Sequence, residues 1–150
     1  MAPNIVSSFM QYFDSFENAV AGGDWSGVAS QLTEDIRYQV HGVPFSCELV
    51  GRDAVIAGFQ KSTAAFDASM DLRMLEILSL VRLGPDALRV ELISGYGREA
   101  IGSVTAPVSI EASVRNGQIS LLRDFYDPVL TAPALTWLGT HAADADPSYC

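Results

Sequence analysis

Two short segments place charged side chains inside otherwise apolar stretches. Arg89-Val90-Glu91 is flanked by Leu88 and Leu92, and Arg123-Asp124-Phe125-Tyr126-Asp127 follows Leu121 and Leu122. In an extended chain alternate residues share a face, so Arg89 and Glu91 point one way, and Asp124 points with Leu122 and Tyr126. A buried carboxylate is costly unless it is paired, hydrogen-bonded or used. Asp124, Glu91 and the Arg89 guanidinium around one cavity make a candidate acid–base site: one carboxylate takes a proton, a protonated partner gives one, and the guanidinium fixes the geometry. The plainer alternative stands beside it. Arg89 and Glu91 can be an ion pair on the outer face of a sheet, and Asp124 a structural acid bonded to backbone or to a tyrosine.

The elements that must position these residues follow from periodicity. Ile5, Phe9, Tyr12, Phe13, Phe16 and Val20 recur at helical spacing, with Asn4 as N-cap and Gly22-Gly23 as the stop. Asp24 caps a second, shorter helix carrying Trp25, Val28 and Leu32. Residues 36–40 read as a strand that holds Tyr38 and Val40. The stretch 42–51 reads as irregular or as a short edge strand. A third helix spans 53–66, with Asp53 in its first turn, where a negative charge suits the helix dipole. After it the pattern becomes β: 70–83, 87–96, 103–114 and 118–126, with Gly84-Pro85-Asp86 as one turn and Asn116-Gly117 as a hairpin. Pro107 predicts an edge position or a bulge for its strand. Pro128 stops the last strand. From 129 onward a tail is expected, with Leu130, Leu135, Trp137 and Leu138 on a packed short helix and then a loose end.

Three helices followed by mostly antiparallel strands is an α+β layout. It implies a strongly curved sheet wrapped, as a cone, around the three N-terminal helices, with one apolar pocket as its default ligand site. The 150 residues fit a single domain, 1–150, and 49% hydrophobic residues with 18% charged exclude a disordered chain. A net charge of −9 disfavours nucleic acid and anionic membranes as partners. No apolar run is long enough for a membrane span. The sequence start has no basic segment of the kind that opens a signal peptide. Cys47 and Cys150 have neither metal-ligand spacing nor the density of a disulfide framework, which points to a cytoplasmic protein.

The order of elements, the strand entry at Asp35 to Tyr38, the helix start Gly51-Arg52-Asp53-Ala54-Val55 and the terminal Arg-Asp-aromatic-aromatic-Asp strand resemble the nuclear transport factor 2-like superfamily. Within it the chain is most similar to the limonene-1,2-epoxide hydrolase and SnoaL-like branch, over residues 5–128. In those hydrolases a Tyr and an Asn on the first strand and an Asp on the last hold the attacking water. An Arg-x-Asp motif on a central strand supplies the acid and a bridging guanidinium. The resemblance puts Tyr38 at the Tyr position, Val40 where the Asn belongs, Arg89-Val90-Glu91 at the Arg-x-Asp motif with Glu for Asp, and Asp124 at the base. A register two residues different puts Glu91 at the Arg position and Ile93 at the acid position. A two-residue shift preserves strand facing, so both registers remain open.

Three functions follow as expectations. The first is epoxide opening by water in a pocket walled by Val40, Leu122, Tyr126, Ile93 and Tyr12: Asp124 takes the proton of a water held by Tyr38, Glu91 donates one to the ring oxygen, and Arg89 couples them. No metal or organic cofactor is required. The second is a SnoaL-like cyclase or ketosteroid-isomerase-like enzyme, which needs only Asp124 and an apolar cavity. The third is a non-catalytic binding or dimerisation module. The expected partner is a small apolar molecule, and the apolar stretches 75–81 and 88–92 suggest a homodimer through a sheet face. Tyr12 and Tyr126 serve either the core or the pocket wall, and His41 is expected to face away from Tyr38.

Overall fold

The computed structural model describes residues 4–150. Helix α1 (Ile5–Gly22) begins where the Ser7 N–H donates to Asn4 Oδ1 at 2.9 Å and ends at Gly23, whose φ of 80° is left-handed. It buries Ile5, Phe9 and Tyr12. Helix α2 (Ser26–Ser30) is a single turn steadied by Asp24, whose Oδ1 accepts from the Ser26 N–H at 3.0 Å. Helix α3 (Arg52–Ala65) buries Val55 and Phe59 and leads into a short 3-10 turn at Asp67–Ser69. Helix α4 (Pro128–His141) starts at Asp127, whose carboxylate accepts the Val129 and Leu130 N–H groups. Asp127 is thus an N-cap, and Pro128, which stops the last strand as expected, also opens a helix where its missing N–H costs nothing.

Six strands form one curved, open sheet: β1 (Leu32–His41), β2 (Cys47–Val50), β3 (Leu72–Gly84), β4 (Ala87–Arg98), β5 (Gly102–Arg115) and β6 (Gln118–Phe125). Their spatial order is β2-β1-β6-β5-β4-β3. Neighbours are antiparallel except β1 and β6, which run parallel. The β5–β6 hairpin turns on Asn116 and Gly117, with φ of 54° and 79°. Irregularities in β3 at 77–79 and at 113–114 in β5 give the long strands room to bend. The inner face of the sheet contributes Ile36, Tyr38, Leu88, Val90, Leu92, Val108, Ala112 and Leu122 to a core shared with α1 and α3. Where β1 ends beside β6, Gly42 has φ of 88°, and a Cβ there would overlap the Tyr126 carbonyl oxygen.

Pro107 lies two residues beyond the last β5–β6 pair (Ser109 with Phe125), on a stretch of the interior strand β5 that has no β6 neighbour, a local edge position as expected of it. Three expectations need correction. Leu88, Val90 and Leu92 are core residues facing inward and cannot form an outer interface. The chain after α4 is not loose: the Ser62 hydroxyl donates to the Pro147 carbonyl at 2.8 Å, the Asp146 N–H to the Ala65 carbonyl at 3.1 Å, and Arg98 pairs with Asp144 at 3.0 Å. Cys47 on β2 and Cys150 are joined in a disulfide, their Cα atoms 6.4 Å apart. It closes a loop of 103 residues, a length at which the chain-entropy model gives about 4–5 kcal/mol of stabilisation. Two cysteines too few for a framework are still enough for one staple. No helix among the described residues is long and apolar enough to cross a membrane.

Candidate active site

β1 and β6 lie side by side with Val40 opposite Asp124 and Tyr38 opposite Leu122. Alternation sends Tyr38 and Asp124 to the inner face, and the Tyr38 hydroxyl donates to Asp124 Oδ2 at 2.5 Å. The Asp124 carboxyl is enclosed, with its residual exposure opening onto a cavity of about 80 Å³. Burial pushes its pKa up from 3.8 to about 6, against the downward pull of the Tyr38 hydrogen bond. Neither a guanidinium nor a second carboxyl contributes to that shift. Asp124 is therefore a lone carboxyl poised to take or give a proton near neutral pH.

The walls around it are aromatic: Tyr12, Phe13 and Phe16 from α1, Phe59 from α3, Tyr96 from β4, with Tyr126 and Tyr149. Burial holds the hydroxyls of Tyr12, Tyr38, Tyr96 and Tyr126 protonated well above their usual range. Each is a hydrogen-bond donor at neutral pH rather than a base. The cavity also carries one cluster of charge. Arg73 on β3 holds Glu17 in a fork, at 2.5 and 3.0 Å, and pairs through Nε with Asp67. Burial raises the Asp67 pKa and Arg73 opposes it. A second chamber of about 60 Å³ lies beneath α4, lined by Val43, Phe45, Phe66, Thr131, Leu135 and Leu138. Asp67, Ser94, Tyr96, Tyr126 and Tyr149 stand between the two.

Of the residues singled out from sequence, Tyr38, Asp124, Leu122, Tyr126 and Tyr12 meet around the first chamber. Arg89 and Glu91 do not. They lie on the outer face, where Arg89 donates to Glu111 at 2.7 Å and the Ser109 hydroxyl donates to Glu91 at 2.5 Å. Ile93 lies on that same outer face, opposite Pro107. Both registers considered above therefore fail for one reason: they differ by two residues, so neither can turn position 91 inward. Val40 faces inward but is packed in the core, 1% exposed, and does not reach the chamber. His41 lies on the outer face, stacked on Phe125 with ring centres 5.0 Å apart.

Sequence reasoning missed Asp67, Arg73, Tyr96 and Tyr149. Arg73 had a signal, because it alternates with Leu75 and Ile77, which pack against the core, so its guanidinium must also point inward. Tyr96 follows the same alternation from Leu92. Tyr149 had none of its own; it precedes Cys150, which the disulfide joins to β2.

No family model matches the chain, and no curated protein matches it. Among solved structures, a nuclear transport factor 2-like protein from Anabaena variabilis is 21% identical, covers 82% of this chain and 89% of its own, and has a TM-score of 0.62. An M. tuberculosis epoxide hydrolase like limonene epoxide hydrolase is 17% identical, with coverage of 93% and 95% and a TM-score of 0.64. A protein with a ketosteroid isomerase-like fold from Catenulispora acidiphila, solved with trimethylamine, is 18% identical, with coverage of 77% and 85% and a TM-score of 0.58. At such identities the likeness speaks for architecture alone. The chain has the nuclear transport factor 2-like fold.

Proposed function

We propose that the protein is a small-molecule enzyme that moves a proton with the single carboxyl of Asp124, in the manner of SnoaL-like cyclases and ketosteroid-isomerase-like enzymes. The observation that carries this reading is the buried Tyr38–Asp124 pair in an aromatic cavity, with no charged partner on Asp124. A carboxyl raised toward neutrality by burial can take a proton from carbon beside a carbonyl and return it to another position. The enclosed tyrosine hydroxyls are candidates to donate to the enolate oxygen that forms. The substrate is a small, mostly apolar carbonyl compound, and the reaction needs no cofactor.

Epoxide hydrolysis is the second reading, favoured by one observation: a carboxyl–guanidinium pair, Asp67 with Arg73, lines the same cavity as Asp124. Asp67 would then donate to the ring oxygen in the place first expected of Glu91. Proton exchange and ring opening separate the two. In deuterated water, NMR follows deuterium entering a small acyclic enone and, in parallel, diol formed from a small epoxide. The first reading expects enone exchange that falls by about 10²-fold or more in Asp124→Asn and is indifferent to Asp67→Asn. The second expects diol formation lost in both variants. Activity unchanged in Asp124→Asn refutes both.

A homodimer goes with this reading: Leu72, Leu78 and Val81 on β3 are 51%, 56% and 52% exposed, an apolar surface that a second copy would cover. The cytoplasmic location expected from the cysteines would place the Cys47–Cys150 bond, of a kind rare in that compartment, among dithiol reductants.

A further inference from the structure

We propose that Tyr149 is the residue that sets the size of ligand the cavity accepts, and that the Cys47–Cys150 disulfide holds it in that position. The inference rests on the reading of this cavity as a ligand site. Neither chamber reaches the roughly 150 Å³ that admits a benzene ring, at about 80 and 60 Å³. Of the five residues between them, Asp67, Ser94 and Tyr96 belong to helical or strand backbone and Tyr126 follows β6 directly. Tyr149 alone comes from the segment after α4, residues 142–150, which has no helix or strand. Its ring stands edge-on to Tyr38 with centres 5.1 Å apart and lies 6.2 Å from Phe59, so it is against the Tyr38–Asp124 pair.

What keeps Tyr149 there is local. The disulfide is on the next residue. Lys61 donates to the Cys150 and Ser148 oxygens, Ser62 donates to Pro147, and Gly58 leaves the space in which the Tyr149 backbone lies: a Cβ at 58 would come within 2.9 Å of its carbonyl oxygen. Apart from the disulfide, these are a few hydrogen bonds and the packing of one ring on the buried side of α3, made by a segment with no helix or strand of its own, which is the part of the wall that opens at least cost. The outer chamber contains a group suited to a longer ligand. Thr131 is 3% exposed, lines that chamber, and its hydroxyl has no hydrogen-bond partner.

With the disulfide intact the site accepts only small ligands beside Asp124. A dithiol breaks the Sγ–Sγ bond: each sulfur becomes a thiol with one proton, and the two electrons come from the dithiol, which closes to its own disulfide. Tyr149 is then free to leave, the two chambers join, and a ligand reaching from Asp124 to Thr131 fits.

The test measures binding of acetone, smaller than a benzene ring and inert to thiols, and of a fused bicyclic diketone, by ligand-observed NMR. It uses the oxidised protein, the protein in a dithiol, Tyr149→Ala, and the double variant Cys47→Ser, Cys150→Ser. Hydrogen–deuterium exchange of residues 142–150 is followed in parallel. The diketone is expected to bind at least about tenfold tighter to the reduced protein and to both variants than to the oxidised protein, with acetone changing less than about threefold. Tyr149→Ala should no longer respond to the dithiol, and exchange in 142–150 should rise on reduction. Equal diketone affinity in oxidised and reduced protein overturns the proposal, as does a Tyr149→Ala variant that still responds to the dithiol. Unchanged exchange in 142–150 overturns the tether by itself, whatever binds. If neither ketone binds any form while exchange does rise, the ligand-site reading fails, and the size-setting role fails with it, but the tether stands.

Discussion

Replacing Asp124 by Asn should stabilise the protein at alkaline pH and do far less at acidic pH. The native carboxyl has its pKa raised from 3.8 to about 6. The folded state therefore holds this proton more tightly than the unfolded state, and the stability it confers is present at low pH and lost as pH rises through the folded value. Above about pH 8 the full difference applies, and at 1.36 kcal/mol per pK unit ionised Asp124 costs about 3 kcal/mol. Near pH 4.5 the unfolded carboxyl is already mostly ionised while the folded one is not, which leaves about 1 kcal/mol. Asn is nearly isosteric and cannot ionise. The stability difference between Asp124→Asn and wild type should thus become more favourable to the variant by roughly 2 kcal/mol between these pH values. Asp67 is shifted in the same direction, so the comparison is of variant against wild type at each pH, where the Asp67 contribution cancels. Urea unfolding at about pH 4.5 and 8 measures it, with the disulfide kept oxidised throughout. A stability difference independent of pH would refute the claim that the cavity desolvates Asp124.

Tyr38→Phe removes the hydrogen bond that pulls the Asp124 pKa down, so the acidic limb of any activity profile should move to higher pH and the rate near neutrality should fall roughly tenfold. Arg89→Ala and Glu91→Gln should leave enone exchange within about twofold of wild type, because both side chains lie on the outer face of the sheet; a large loss would return them to the mechanism. Gly42→Ala combines a left-handed φ with overlap on the Tyr126 carbonyl oxygen, and equilibrium unfolding should show a loss of about 2–5 kcal/mol. Leu78→Glu puts a charge on the exposed apolar surface of β3; if that surface forms the proposed dimer, wild type should sediment as a dimer and the variant as a monomer, with the thermal midpoint of the monomer unchanged.

The fold was legible because its signals are local and repeated. Asn4, Gly23 and Asn116-Gly117 act through backbone preferences that any context respects, and the alternation in β4 and β6 fixes which residues face the core. Asp124 and Tyr38 were legible for the same reason: an acid among apolar neighbours and a tyrosine on an inward position. Arg89 and Glu91 misled because alternation says that two residues share a face but not which face is inside. The neighbours held that answer, since Leu88, Val90 and Leu92 are the apolar set of β4 and must take the inside. Arg73 shares the inward face of Leu75 and Ile77, and Glu17 and Asp67 meet its charge there. That partnership joins residues on a helix, a 3-10 turn and a strand, and no periodicity encodes it. Tyr149 was the least legible, since it lies beside a covalent bond between residues 103 apart in sequence, which no local pattern announces.

The central claim is that one enclosed carboxyl, Asp124, titrates near neutrality. Carbon-13 NMR of the aspartate side-chain carboxyls across pH measures this directly, with the Asp124 signal identified by its absence in Asp124→Asn. The signal should titrate with a midpoint of about 6 and move upward in Tyr38→Phe. A midpoint at the ordinary value of 3.8, unmoved in Tyr38→Phe, would contradict the account.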